Sequence, residues 1–318
     1  MMRPLLLWAS TNPYMKDRLP RYGFIRRAVR RFMPGEKPED GLREAGNLAR
    51  EGASTILTLL GENVDTEVEA QAVVSHYQFV LDAIRSRKLD AEVSVKLTQL
   101  GLDQNPATAL AHVRTLARAS VEASTIPSDG GTRPLTLWID MESSAYVDRT
   151  LEIYRKAKAE YDNVGVALQA YLRRTPKDLE DLLPLKPIIR LVKGAYLEPK
   201  TVAFPEKREV DAAYHALVKR LLRERKSGRV GRPSVATHDQ RITGDVTRMA
   251  RELDLSKDAY EFAMLYGIGT AQQRHLLGQG YRLRVLISYG EAWFPWYMRR
   301  LAERPANLWF VAKQMVRG

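Results

Sequence analysis

An eight-stranded α/β barrel preceded by a helical N-terminal extension is the fold this sequence predicts. Two observations lead there. Short apolar, β-branched runs recur eight times along the chain, and amphipathic helical sequence fills the gaps between them. Strands alternating with helices imply parallel pairing with right-handed crossovers, and eight such units suggest closure into a (β/α)8 barrel of the TIM type. A doubly wound open sheet is the other architecture this pattern allows. The chain length of 318 residues suits the barrel, which needs roughly 250 residues plus extensions.

Residues 1–50 read as helical, with breaks at Asn12-Pro13 and Pro34-Gly35. They lack the apolar content for a core of their own and are expected to pack on a barrel that spans 51–318. Strands are expected at Ser54–Leu60, Glu92–Leu97, Leu135–Asp140, Val164–Ala170, Pro187–Val192, Ser234–Thr237, Ala259–Leu265 and Leu283–Ser288. The intervening helices include Val68–Ser86, Pro106–Ala123, Tyr146–Tyr161 and Val210–Lys226. Ser128 to Thr132 is a turn, and Glu198 to Arg208, with two prolines, is a loop after the fifth strand.

Composition narrows the function. The chain has no cysteine, which excludes disulfides, thiol nucleophiles and thiolate metal sites and fits a cytoplasmic location. His76, His112, His215 and His275 fall in helical stretches without ligand spacing, so no metal site is expected. No run approaches the ~20 apolar residues of a membrane span, and Met1 to Trp8 is no signal peptide. The net charge of +12 raises a nucleic-acid reading, but the basic residues are dispersed and form no compact basic-aromatic motif. One local excess, Arg26, Arg27, Arg30 and Arg31 among Phe24, Ile25, Val29 and Phe32, reads as a basic amphipathic helix. A solvated face is its plainer reading, and peripheral contact with the inner face of the cell membrane is the other.

In a barrel, chemistry gathers at the C-terminal ends of the strands. There the sequence places Glu62, Lys96, Asp140, Gln169, Lys193, His238 and Tyr289. Arg190 lies inside an apolar strand, on one face with Ile188 and Val192, where an unpaired charge is costly. It needs an anionic or hydrogen-bonding partner, which Asp140 can supply. The doublet Arg299-Arg300 lies among aromatic residues after the last strand and suits a carboxylate. Lys193-Gly194-Ala195 lets backbone N–H groups approach an anion. A barrel using its arginines on a phosphorylated substrate is a rival reading.

Several segments together carry a resemblance. Lys96 with Thr98-Gln99-Leu100-Gly101-Leu102-Asp103, then Asp140-Met141-Glu142, Arg190 to Tyr196 (RLVKGAY), Thr237-His238-Asp239, Tyr260-Glu261-Phe262, Leu265-Tyr266-Gly267 and Tyr297 to Asn307 stand in a characteristic order and spacing. The chain resembles the proline dehydrogenase family in its short, monofunctional bacterial form, from Leu59 to Asn307. The resemblance implies an FAD-dependent oxidation of L-proline to 1-pyrroline-5-carboxylate by hydride transfer to the flavin N5. Lys96, Arg299 and Arg300 would hold the substrate carboxylate, Tyr196 would pack on the substrate ring, and Glu62 would pair with Arg299 as a gate. Arg190, supported by Asp140, would sit near the flavin N5, and Gln169 would contact the flavin ring. Met141, Val192, Lys193, Gly194 and Ala195, with Thr237 and His238, would line the FAD site. The resemblance further implies a quinone as electron acceptor and a separate pyrroline-5-carboxylate dehydrogenase as partner.

One stretch departs from the family pattern, Tyr-x-Pro-x-Gly. Here it reads Leu286-Ile287-Ser288-Tyr289-Gly290. Two readings follow: a roomier, drier pocket at Leu286 that accepts a substituted or larger ring, or a neutral exchange compensated by Tyr289.

Overall fold

A computed structural model describes residues 29–128 and 131–303, together with Asn12. Eight parallel strands close into a barrel: β1 (Ser54–Leu59), β2 (Ala91–Val95), β3 (Leu137–Ile139), β4 (Val164–Gln169), β5 (Ile188–Val192), β6 (Pro233–Ala236), β7 (Glu261–Leu265) and β8 (Leu283–Tyr289). Each strand pairs with its sequence neighbour, and β8 returns to β1 in the register Ser54–Arg284 to Leu59–Tyr289. The open-sheet alternative is thereby excluded. An antiparallel ladder of two residues per strand, Pro127–Ser128 with Gly131–Thr132, brackets the expected turn.

Helices α1 (Pro38–Arg50), α2 (Glu67–Ser86), α3 (Pro106–Glu122), α4 (Val147–Lys158), α5 (Thr175–Leu182), α6 (Lys207–Lys226), α7 (Gln240–Glu252), α8 (Thr270–Gly278) and α9 (Trp293–Glu303) accompany the strands. Local chemistry sets their starts. Thr66 and Glu69 form a reciprocal capping box at α2, and Asn105 caps α3 just before Pro106. Strand β3 is shorter than expected because the Leu135 carbonyl is taken by the Asn163 side chain at 3.0 Å instead of by a ladder.

The odd-one-out is the last unit. Helix α1 packs Leu42 and Ala45 into the main core, and its Gly41 lies against Leu57 and Tyr289 on the outer faces of β1 and β8. It thus covers the place a helix after β8 would take. Helix α9 instead joins a second apolar cluster with Val29, Phe32, Met33, Leu60 and Ile268. Leu60 and Ile268 follow the C-terminal ends of β1 and β7, so α9 lies over the barrel mouth. Gly267, at φ +70°, admits the Arg31 carbonyl against its backbone, where a Cβ would collide. Val29 and Phe32 are buried while Arg30 and Arg31 face solvent; Phe24 to Arg27 lie outside the described residues. No helix among the described residues is long and apolar enough to cross a membrane.

Candidate active site

Period-two alternation sorts each strand into lumen-facing and helix-facing residues. Near the N-terminal end the lumen holds a buried ion cluster. The two Nη2 contacts of Arg232 with Glu92 are both 2.8 Å, and Arg284 Nε lies 3.1 Å from Glu261 and 3.4 Å from Glu92. Arg284 and Glu261 lie on the neighbouring strands β8 and β7, whereas the contacts of Arg232 and Arg284 with Glu92 on β2 reach across the lumen. Burial opposes the Glu92 charge, but Arg232, Arg284 and Arg133 hold the carboxyl well below the usual range. Trp138 sits above this layer, with its indole N–H donating to Glu92 at 2.7 Å.

The upper lumen is built differently. The same faces carry Ser94, Ala167, Ser234, Ala236, Ala263 and Ser288, where bulky branched residues fill most such barrels. Small side chains thus line the lumen toward the mouth. Into this space project Asp140 after β3, Lys96 after β2 and Arg190 from β5. Arg190, 3% exposed, forms an ion pair with Asp140 and donates to Ser94 Oγ at 3.0 Å. Ser94 Oγ in turn donates to Asp140 at 2.8 Å, and the Lys96 ammonium lies 3.8 Å from the same carboxylate. The partner that Arg190 needed is therefore present, and Ser94, which the sequence did not single out, joins the two. The inward run Glu92-x-Ser94-x-Lys96 on an otherwise apolar strand was the available signal.

Around this cluster the loops are tied together. Glu142 is buried and accepts hydrogen bonds from Thr98 Oγ1 at 2.6 Å and Thr98 N–H at 3.2 Å. Burial pushes its carboxyl up to about 7, against the lowering effect of Thr98 and Lys96. Thr98 Oγ1 also accepts from the Asn63 N–H at 3.2 Å, next to Glu62. Tyr196 donates to Glu62 at 3.4 Å. Glu198 accepts from the Ser144 N–H at 2.7 Å and hydroxyl at 2.5 Å, clamping the loop after β5 onto the loop after β3.

The remaining expected residues line the ends of β4, β5 and β6. Gln169 donates to the Met141 carbonyl at 3.3 Å. The Val192 carbonyl receives the Ala170 N–H at 2.8 Å. Lys193 pairs with Asp211 at 2.5 Å and approaches Asp239 at 4.0 Å. Gly194 has φ +117°, and an added Cβ would strike the Tyr171 ring; Ala195 follows half-buried. Thr237 accepts from the Asp239 N–H at 3.1 Å, and His238 Nε2 accepts from the Leu265 N–H at 3.4 Å. Arg299 and Arg300 belong to α9, but their side chains lie outside the described part of the molecule, as does the pairing of Glu62 with Arg299.

Leu286 faces the lumen two residues above Arg284 and is half-buried at the mouth. Tyr289 is the correction. It lies on the opposite face of β8, packs against α1, and its hydroxyl is 2.8 Å from His76 Nε2 on α2. The two residues are three apart on a strand, an odd offset that puts them on opposite faces, so Tyr289 cannot compensate for Leu286.

The proline dehydrogenase sequence family matches residues 41–313. The chain belongs to the proline dehydrogenase family. Among its relatives, Proline dehydrogenase 1 of Bacillus subtilis (strain 168) is 37% identical over 317 residues, covering 100% of both chains. The Proline dehydrogenase of Deinococcus radiodurans is 38% identical over 293 residues, 91% of this chain and 90% of that one. Both are of similar length to this chain, as expected of monofunctional family members. Proline utilization A from Bdellovibrio bacteriovorus, solved after inactivation by N-propargylglycine, shares the fold with a TM-score of 0.78 at 24% identity. The match covers 94% of this chain and 36% of that much longer protein.

A flavin fits the site that this family member builds. Small residues line this part of the lumen, and several buried polar atoms of its lining have no hydrogen-bond partner among the described residues, Arg190 Nη1 and Gln169 Oε1 among them. A buried donor and a buried acceptor left open in this way are costly unless a ligand satisfies them.

Proposed function

We propose that the protein is an FAD-dependent proline dehydrogenase that oxidises L-proline to 1-pyrroline-5-carboxylate and passes the electrons to a quinone. The observation that carries this reading is the Lys96–Asp140–Arg190 cluster at the mouth of a barrel belonging to this family. When bound, FAD supplies the two-electron acceptor for the hydride lost from the ring carbon beside nitrogen. Gln169 and Arg190 would hold its ring system, and Lys193, Gly194, Thr237 and His238 its remaining length.

The chain's own groups do the binding and orientation. Lys96, with Arg299 and Arg300 from α9, would fix the substrate carboxylate. Tyr196, steadied by Glu62, would cover the ring, and Glu62 would close on Arg299 after entry. Asp140 and Ser94 anchor the Arg190 guanidinium at Nη2 before substrate arrives, which brings its charge to the mouth. Holding the reacting carbon in one pose supplies much of the rate gain, and α9 over the mouth keeps water out.

Leu286 favours a second reading, the same chemistry on a substituted or larger cyclic amino acid, because above Arg284 the lumen face of β8 carries only Leu286 and Ser288, neither of them aromatic. A cytoplasmic protein with peripheral contact to the inner membrane face, handing its product to a pyrroline-5-carboxylate dehydrogenase, completes the proposal. The test is an absorbance spectrum of the purified protein followed by anaerobic L-proline. Flavin bands that bleach are expected. Bands that persist with proline but bleach with 4-hydroxyproline or pipecolate would transfer the function to the second reading. Absence of flavin bands after reconstitution with FAD would overturn both.

A further inference from the structure

The catalytic arginine is restrained by less than its burial suggests. Both hydrogen bonds that hold the Arg190 guanidinium use Nη2, one to Asp140 and one to Ser94. A planar group held at one nitrogen can still swing about it. What lies beneath is the indole of Trp138, with its centroid 5.0 Å from Arg190 Cζ. A cation over an aromatic face is attracted by the ring quadrupole, more strongly where water is excluded, and both residues are almost fully buried. Arg232 approaches the same ring at 5.7 Å. Arg232 reaches down to Glu92 near the N-terminal end, whereas Arg190 reaches up to Asp140 past the C-terminal end of β3. The indole therefore separates the two guanidiniums along the barrel axis.

The ring itself has little freedom. Its N–H is bound to Glu92, which is gripped by Arg232, Arg284 and Arg133. On its flank lies Gly165, the second residue of a fully buried strand where glycine weakens the sheet. A Cβ there would stand 2.8 Å from two ring carbons of Trp138 and 3.0 Å from Thr136. Glycine at this position is what admits the indole. An ion cluster, a glycine niche and a buried ring thus converge on one guanidinium.

We propose that Trp138 is the positioning residue for Arg190: its indole carries the rigidity of the ion cluster at the barrel floor up to the arginine, and so sets the reduction potential of the bound flavin. The inference rests on the FAD reading above. Trp138 touches neither substrate nor cofactor in this scheme and acts only through Arg190.

The test compares Trp138→Leu, Trp138→Phe and Gly165→Ala with the parent holoenzyme, by flavin midpoint potential and by kcat and KM for proline, with thermal unfolding as the folding control. Trp138→Leu removes the ring and is expected to lower kcat about tenfold or more, the scale of loss from a slightly misplaced group, with KM changing far less. The potential is expected to become more negative, by about 30 mV for each tenfold loss in preference for the reduced form. Gly165→Ala leaves every charge in place and presses chiefly on the ring, with Thr136 the next neighbour, so it is expected to move the potential the same way. Trp138→Phe keeps a face under Arg190 and is expected to stay near the parent. A folded Trp138→Leu or Gly165→Ala with the parent potential and kcat would overturn the proposal, as would a Phe variant as impaired as the Leu variant. If Trp138→Leu does not fold, Gly165→Ala and Trp138→Phe decide. A parent protein that binds no FAD would instead sink the functional reading itself, whereas a parent that bleaches with variants that do not differ sinks only the role of Trp138.

Discussion

Replacing Glu142 with glutamine tests how the site treats charge. The carboxyl is buried beneath the mouth, and burial raises it from an ordinary 4.5 to about 7 in spite of two hydrogen bonds from Thr98. The folded protein therefore binds this proton more tightly than the unfolded chain does. Stability from this group is complete below about pH 4.5 and is lost as pH rises to about 7, because only the native state resists ionisation. At ~1.4 kcal/mol per pH unit, the interval from 4.5 to about 7 amounts to about 3 kcal/mol. Carboxylates held low, such as Asp90 and Glu92, act in the opposite sense, but they are common to both proteins and cancel in the difference. Glutamine preserves the shape and the acceptor for the Thr98 N–H. Urea unfolding of both proteins from pH 4.5 to 8 is expected to show the variant gaining about 3 kcal/mol relative to the parent across that range. A parent-minus-variant difference that stays flat would refute the reasoning, since Glu142 would then ionise equally in both states.

Two further substitutions probe the pocket and the floor of the barrel. Leu286→Tyr narrows the lumen at the mouth and is expected to raise the kcat/KM ratio of proline over pipecolate by about tenfold, the usual scale for one methylene in a tight pocket; an unchanged ratio would remove Leu286 from specificity. Arg284→Met leaves Glu92 and Glu261 short of a buried partner and is expected to cost about 3–5 kcal/mol in urea unfolding, and a loss below about 1 kcal/mol would show that Arg232 and Arg133 suffice to balance the two carboxylates.

Much of this protein was legible in the sequence because its signals are local. Alternation of apolar runs with amphipathic helices determined eight strands, their order and nearly their limits, since a parallel strand buried on both faces reads as a continuous apolar run. Strand-end position brought Lys96, Asp140, Gln169, Arg190 and Lys193 to one rim, and the costly burial of Arg190 required an acid such as Asp140. Tertiary structure alone decided the rest. Period two places Tyr289 on the face away from Leu286, but only its contact with His76 shows that the outward side is occupied and satisfied. Glu92, Arg232 and Arg284 looked like scattered charges because they lie far apart in the chain and meet only across a closed lumen. Gly165 and Trp138 read as ordinary strand residues until closure set one against the other. Likewise α1 beside β8 and α9 over the mouth follow from which apolar faces remain to be covered once the barrel has closed. Local periodicity determines elements because it needs only neighbouring residues; partners across a barrel are chosen by closure, which no local window contains.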